Sequence, residues 1–368
     1  MMKKIILTGG GTAGHVTPNI ALLPALREAG YEISYIGSRD GMERDLMKAQ
    51  HVPYYGISSG KLRRYFDWKN FSDPFRVLHG IGQAKKILKK EKPSVVFSKG
   101  GYVSVPVVYA AKSLHIPVII HESDITPGLA NKLCFKASYK VCCNFPETIP
   151  YLPEGKAVLT GSPIRRELLS GDPEEGRRFC GFDRLPGRAA MPVLMVTGGS
   201  LGSVRVNTSI RSILPRLLES FNVVHLCGKG NLDTSLNSRP GYVQFEYVSE
   251  QMADLFALAD VVVSRAGANS ICELLELRKP NLLIPLSAAA SRGDQLLNAR
   301  SFKKQGYSQV LEEEEITDDV LYNSIMDLYK NRRTYIDTMA KSKNSSAIEI
   351  ILGLIEKASA GDVAGGRN

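Results

Sequence analysis

The stretch from Asp260 to Leu286, DVVVSRAGANSICELLELRKPNLLIPL, leaves few folds open to this chain. Val261 to Val263 is a short β-branched apolar run, the pattern of a parallel strand covered on both faces. It breaks at Ser264-Arg265-Ala266-Gly267. A helix follows, with Ile271, Leu274 and Leu275 on one face and a stop near Arg278-Lys279-Pro280. A second apolar strand over 281–286 completes a strand–turn–helix–strand unit. In such a unit the turn lies at the carboxyl end of the sheet and offers the unpaired N–H groups of a helix start, where open α/β sheets bind ligands. Glu273, one turn into the helix, reads either as a ligand-facing acid or as an ordinary glutamate favoured by the helix dipole.

The same unit recurs. Lys3 to Leu7 reads as a strand running into Thr8-Gly9-Gly10-Gly11-Thr12-Ala13-Gly14-His15, glycines being needed where backbone turns sharply beside a ligand. This turn lacks the Gly-Lys-Ser/Thr of a nucleotide triphosphatase loop and the spacing of a dinucleotide fingerprint. The next strand, Tyr31 to Ile36, ends in Gly37-Ser38-Arg39 without a ribose-binding acid, which weakens a nicotinamide reading. Strands at 94–97, 117–120, 139–143 and 157–160 follow, ending respectively in Lys99-Gly100-Gly101-Tyr102, His121-Glu122-Ser123-Asp124, Asn144 and Gly161-Ser162-Pro163-Ile164-Arg165. The polar stretch 170–190 has linker composition. Beyond it, 193–196 runs into Thr197-Gly198-Gly199-Ser200-Leu201-Gly202-Ser203, an echo of the first turn. Further strands are expected at 222–227, 242–245, 260–263 and 281–285, with helices at about 318–329 and 347–357.

The expected fold is therefore α/β, with two doubly wound Rossmann-like domains facing a cleft. The expected boundaries are 1–163 and 164–345, then a C-terminal helix at 346–357 and a disordered tail at 358–368. A length of 368 residues suits two such domains of roughly 150–190 residues. No apolar run reaches the roughly 18–20 residues of a membrane span, and because Met1-Met2-Lys3-Lys4 enters a strand directly, no signal peptide is expected. The six cysteines show no Cys-x-x-Cys spacing and read as reduced, buried thiols. With scattered histidines and no Asp-x-Asp pair, neither a metal site nor a cofactor is expected.

A net charge of +10 calls for an anionic partner, and its placement is uneven. Residues 61–92 hold ten Lys/Arg against three acids, a net of +7, interleaved with Tyr65, Phe66, Trp68, Phe71 and Phe75. Nucleic acid, anionic lipid and a solvated helix face all fit that pattern. No RNA-recognition, helix-turn-helix or zinc-finger signature accompanies it, so nucleic acid is the weakest of the three.

Taken together, GGGTAGHVTP (9–18), SKGGYVSVP (98–106), HESDITPGLANK (121–132), GSPIR (161–165), GGSLGS (198–203), SRAGANSICE (264–273) and SRGDQLLNA (291–299) resemble a family. It is the peptidoglycan N-acetylglucosaminyltransferases, which move GlcNAc from UDP-GlcNAc to lipid-linked muramyl-pentapeptide (lipid I). The resemblance spans the chain except its tail and implies the glycosyltransferase-B fold, inversion at the anomeric carbon and no Asp-x-Asp-bound metal. It also implies residue roles. Thr12, Ala13 and Gly14 would face the sugar nucleotide. Gly199, Ser200 and the surrounding 198–202 backbone would cradle the diphosphate, with Arg165 as cation. Glu273 would bind the ribose, Ala268, Asn269 and Ser270 would lie along the nucleotide, and Asp294 and Gln295 would read the GlcNAc hydroxyls. Tyr247-Val248 would wall the uracil. Gly11, Gly100, Gly101, Tyr102 and Glu122 would form acceptor-side loops.

Inverting transfer needs one base on the acceptor hydroxyl and stabilisation of departing UDP. His15 is the first candidate base, its imidazole being available at neutral pH, and its alternative part is to orient the loop. Many family members carry Glu-Gln-Asn where this chain has Glu122-Ser123-Asp124, so Asp124 is a sugar ligand or a rival base. The acceptor's polyprenyl chain implies a peripheral position on the cytoplasmic face of an anionic plasma membrane. Lys61, Arg63, Arg64, Phe66, Trp68, Lys69, Phe75, Arg76, Lys85 and Lys86 would be the docking face, against an alternative of a solvated helix with core-facing aromatics. The competing activities are a UDP-GlcNAc 2-epimerase, a glycolipid synthase and, remotely, a nucleic-acid-binding protein.

Overall fold

Among the described residues every strand pairing is parallel, and the two sheets repeat one strand order. The computed structural model describes residues 3–60, 73–199, 202–287, 293–342 and 347–361. Contacts divide the chain into one unit of residues 1–165 with 344–368 and a second of residues 166–343.

In the first unit the strands are β1 (Lys3–Thr8), β2 (Tyr31–Ser38), β3 (Tyr54–Ile57), β4 (Val95–Ser98), β5 (Val118–Glu122), β6 (Lys140–Cys143) and β7 (Ala157–Leu159). Their order is β3-β2-β1-β4-β5-β6-β7. In the second they are β8 (Val193–Thr197), β9 (Asn222–Leu226), β10 (Tyr242–Phe245), β11 (Val261–Ser264), β12 (Asn281–Leu283) and β13 (Gln309–Val310), ordered β10-β9-β8-β11-β12-β13. Each order runs outward from a central pair, β1 beside β4 and β8 beside β11. Chain direction across the sheet reverses there, the position at which open α/β sheets bind ligands. The glycine turns singled out above follow these four strands.

The central strands are apolar throughout because helices cover both faces. Ile5, Leu7, Val95 and Phe97 pack to one side of the first sheet with Leu22, Leu23 and Leu26, while Ile6, Val96 and Ile120 pack to the other with Val107, Val108 and Ala111. In the second unit Leu194, Val196, Val261 and Val263 pack against Val206, Ile210, Leu321 and Ile325. All six cysteines are free and buried, and desolvation pushes the Cys134, Cys142, Cys143 and Cys180 thiols up to about 12.

Three expectations are corrected. The 170–190 stretch is folded: Asp172 caps a helix Pro173–Phe179, Cys180 and Phe182 are buried, and a Cβ on Gly176 would come within 2.6 Å of the Asp254 carbonyl oxygen. Polar composition there marks a solvated face. The last helix, Ala347–Ser359, runs past residue 357. Its Ile351, Ile355 and Ala358 enter the first unit's core, and Ser359 Oγ accepts from the Tyr31 hydroxyl at 2.9 Å. The remainder of the expected tail, 362–368, lies outside the described residues. Strands β3 and β13 and a helix Arg332–Ala340 add elements that the periodicity did not announce.

Candidate active site

Three loops of the first unit meet above β1, β4 and β5. Gly11 and Gly101 adopt φ of +88° and +87°, a region costly for any residue with a Cβ. A Cβ on Gly101 would lie 2.2 Å from the Gly10 carbonyl oxygen, so the first two glycine turns are in backbone contact. Gly100, at φ +96°, packs on Asn131, whose Nδ2 donates to Glu122 Oε2 at 2.9 Å. Glu122 also accepts from the Asp124 N–H at 3.1 Å and the Gly128 N–H at 3.0 Å. That carboxylate is spent bracing its own loop; Tyr102, Ser123 and Asp124 beside it are half-buried.

Thr12 is exposed, Ala13 and Gly14 form one 3-10 turn with His15, and His15 is half-buried. His15 Nδ1 lies 3.1 Å from the Gly10 carbonyl oxygen and 3.1 Å from Thr12 Oγ1. A carbonyl only accepts, so the proton is assigned to Nδ1, and Nε2 is the basic nitrogen of the neutral ring. His121 is the opposite case. Its Nε2 donates to the Gly161 carbonyl at 2.9 Å, and its Nδ1 accepts from the ammonium of Lys99 at 2.7 Å. Burial, then the Lys99 charge, drives the His121 imidazole well below its ordinary value, so its lone pair is not offered to substrate. Lys99 is itself buried and also donates to Ser123 Oγ, beside Asp124. The sequence offered no sign of this cluster, since a lysine in a glycine turn reads as solvated.

In the second unit Gly199 and Gly202 adopt φ of +83° and +74° between β8 and the helix Val204–Ser212, which Ser203 caps through Val206 N–H. Ser200 lies outside the described residues. Arg265, whose part was not foreseen, joins the loops: it is buried and donates to Ser203 Oγ at 2.7 Å, Glu313 Oε1 at 2.7 Å, and the Ile284 and Pro285 carbonyls at 3.1 and 3.2 Å. Its place in the turn after β11 was visible, but its partners come from segments remote in sequence. Gly267 opens the helix Ala268–Glu276 and has no side chain with which to cap its N–H groups; Ala268, Asn269 and Ser270 form the first turn, with half-buried Glu273 one turn on.

Asp294 and Gln295 begin the helix Asp294–Lys304. Gln295 Oε1 accepts from the Leu286 N–H at 3.0 Å, which fixes the orientation of its side-chain amide. Val248 is buried, whereas Tyr247 is exposed, so of this pair Tyr247 has the side-chain surface to stack on a base. Arg165 ends the first unit, and its Nε is buried without a hydrogen-bond partner among the described residues.

Of the docking residues, Lys61, Arg63, Arg64, Phe66, Trp68 and Lys69 lie outside the described residues. Phe75, Arg76, Lys85 and Lys86 lie on the helix Asp73–Glu91. Ala84 and Leu88 face the core with Val77, Ile81 and Ile87, whereas Phe75 and Leu78 are 75% and 65% exposed. Phe75 therefore does not face the core. Among the described residues no helix is long and apolar enough to cross a membrane.

Family models match both halves: the glycosyltransferase family 28 N-terminal domain over residues 5–142 and its C-terminal domain over 193–352. The chain is 64% identical over 355 residues to a UDP-N-acetylglucosamine–N-acetylmuramyl-(pentapeptide) pyrophosphoryl-undecaprenol N-acetylglucosamine transferase of Lachnospira eligens, covering 96% of this chain and 99% of the relative. A protein of the same name from Lachnoclostridium phytofermentans is 60% identical, with 97% and 99% covered. The crystal structure of Acinetobacter baumannii MurG superposes with a TM-score of 0.73 at 26% identity, covering 96% of this chain and 99% of that one. The two parallel-sheet units are thus those of a glycosyltransferase-B enzyme, and the chain belongs to glycosyltransferase family 28.

Proposed function

We propose that this protein transfers GlcNAc from UDP-GlcNAc to the 4-hydroxyl of the muramyl sugar of lipid I. The observation that carries the reading is near-full-length identity of 57–64% to relatives that share this one name. An epimerase or a glycolipid synthase on the same fold has no comparable support. Inversion requires a single displacement. His15 Nε2 takes the acceptor proton as its oxygen attacks the anomeric carbon, and the bond to UDP breaks on the opposite face. In this reading the charge that develops on UDP is met by N–H groups of the 198–202 turn, the start of the helix Ala268–Glu276, and Arg165. Glu273 takes the ribose hydroxyls, Gln295 and Asp294 the sugar, and Tyr247 the uracil.

In this reading the enzyme meets its lipid-anchored acceptor at a membrane surface, on the cytoplasmic side. Phe75 and Leu78, exposed on a helix that also carries Arg76, Lys86, Lys89 and Lys90, suit insertion among anionic headgroups. Kinetics of His15→Ala and Asp124→Asn with a soluble lipid I analogue test the assignment of the base. It expects kcat to collapse in His15→Ala while KM for UDP-GlcNAc holds. Collapse in Asp124→Asn with His15→Ala active would move the base to Asp124.

A further inference from the structure

Glu43, near the start of the helix Met42–Ala49, is fully buried although it carries a carboxylate. Burial of that kind is costly unless the group is hydrogen-bonded, and here a socket is built for it. Oε1 accepts from the Ser38 N–H at 3.0 Å and from the Ser38 hydroxyl, and Oε2 accepts from the Gly11 N–H at 3.4 Å. Glycines from three places make the room: a Cβ on Gly10, Gly37 or Gly41 would come within 2.5, 2.9 or 2.3 Å of Glu43 atoms. Side chains at those positions would collide with the carboxylate, so the glycines serve the acid as well as the turns.

The Gly11 N–H and the Gly10 carbonyl belong to one peptide unit. Glu43 takes the N–H side, and His15 Nδ1 donates to the carbonyl side at 3.1 Å. A carboxylate on a peptide N–H polarises that peptide and makes its carbonyl oxygen a better acceptor. A better acceptor holds the proton on Nδ1 and keeps the lone pair on Nε2, the service a carboxylate bonded directly to a histidine performs elsewhere.

We propose that Glu43 is a positioning residue that fixes the tautomer and orientation of His15 through the Gly10–Gly11 peptide. The proposal rests on the reading of His15 as the base. Glu43 touches no substrate in this scheme, and its effect passes wholly through His15.

The test is steady-state kinetics of the full chain with UDP-GlcNAc and a soluble lipid I analogue, for Glu43→Gln, His15→Ala and the double variant. Glu43→Gln keeps the volume and removes the charge. Its kcat is expected to fall about tenfold, the lower end for loss of a group that orients a functional histidine, with KM for UDP-GlcNAc unchanged. In the His15→Ala background the same change is expected to cost nothing further. An unchanged kcat in Glu43→Gln, beside a collapsed His15→Ala, overturns the proposal and leaves the base in place. An equal loss with and without His15 overturns it too, because the carboxylate then acts by another route. Full activity in His15→Ala removes the base reading and the proposal with it. Should Glu43→Gln not fold, Ser38→Ala keeps the carboxylate and deletes one of its donors. It is expected to lower kcat about twofold to threefold at constant KM, and no change in kcat refutes the role. Nitrogen NMR of the wild-type His15 ring is expected to show the proton on Nδ1; a proton on Nε2 refutes it.

Discussion

Replacing Arg265 by leucine removes the guanidinium that ties three separate segments of the second unit together. Four acceptors lose their donor: Ser203 Oγ, which caps a helix; the Ile284 and Pro285 carbonyls; and Glu313. The Arg265 and Glu313 side chains are only 9% and 15% exposed, so the carboxylate left behind is poorly reached by water. Breaking a buried ion pair from one side costs about 3–5 kcal/mol, and the stranded carbonyls fall within that range once water relaxes around them. For a domain of this size each kcal/mol lowers the melting temperature by about 2–4 °C, so a drop of roughly 6–20 °C is expected by calorimetry. The double variant Arg265→Leu with Glu313→Leu no longer strands a charge and is expected to regain more than half of the loss. A cost below about 1 kcal/mol for the single variant refutes the reasoning, as does a double variant less stable than the single one. UDP-GlcNAc affinity, measured where Arg265→Leu is still folded, is expected to fall as well, because the same clamp holds the turns after β8 and β11.

Three further outcomes follow from the geometry. Gly101→Ala places a Cβ against the Gly10 carbonyl at a positive φ, and a stability loss of about 1–3 kcal/mol by urea titration is expected together with reduced kcat. His225 is buried between Tyr242 and Asn207, and desolvation holds its imidazole down to about 3. The unfolded chain binds a proton there below about 6.5 that the fold excludes, so this stability is complete above that pH and is lost as pH falls toward 3. By pH 5 the loss is about 2 kcal/mol, and His225→Gln is expected to flatten the urea midpoint between pH 7.5 and 5. Phe75→Ser with Leu78→Ser is expected to weaken co-sedimentation with anionic liposomes about tenfold or more, and Arg76→Glu with Lys86→Glu to do so in a salt-dependent manner; undiminished binding in both pairs removes this helix from the docking surface.

The fold was legible where glycine turns punctuate apolar runs, because a positive φ and a strand buried on both faces each leave a mark on residue type. Gly11, Gly101, Gly199 and Gly202 stand where their spacing put them. Strands β3 and β13 were not legible: YYGI and QV are too short, and at sheet edges too little buried, to carry a periodic signal. Composition misled at 170–190, where charged residues cover the outside of a packed helix. The site residues that went unread are those defined by partners far along the chain. Arg265 takes its meaning from Ser203 and Glu313, Lys99 from His121 and Ser123, and Glu43 from Ser38 and the glycines that precede it. Each is a charge inside the fold, and a linear reading places charges at the surface by default.

The most direct test of the central claim is transfer of labelled GlcNAc from UDP-GlcNAc to a lipid I analogue, with the anomeric configuration of the product read by proton NMR. UDP release that depends on the acceptor is expected, with a β-linked GlcNAc on the muramyl 4-hydroxyl. UDP release without acceptor, free epimerised sugar, or an α-linked product would contradict it.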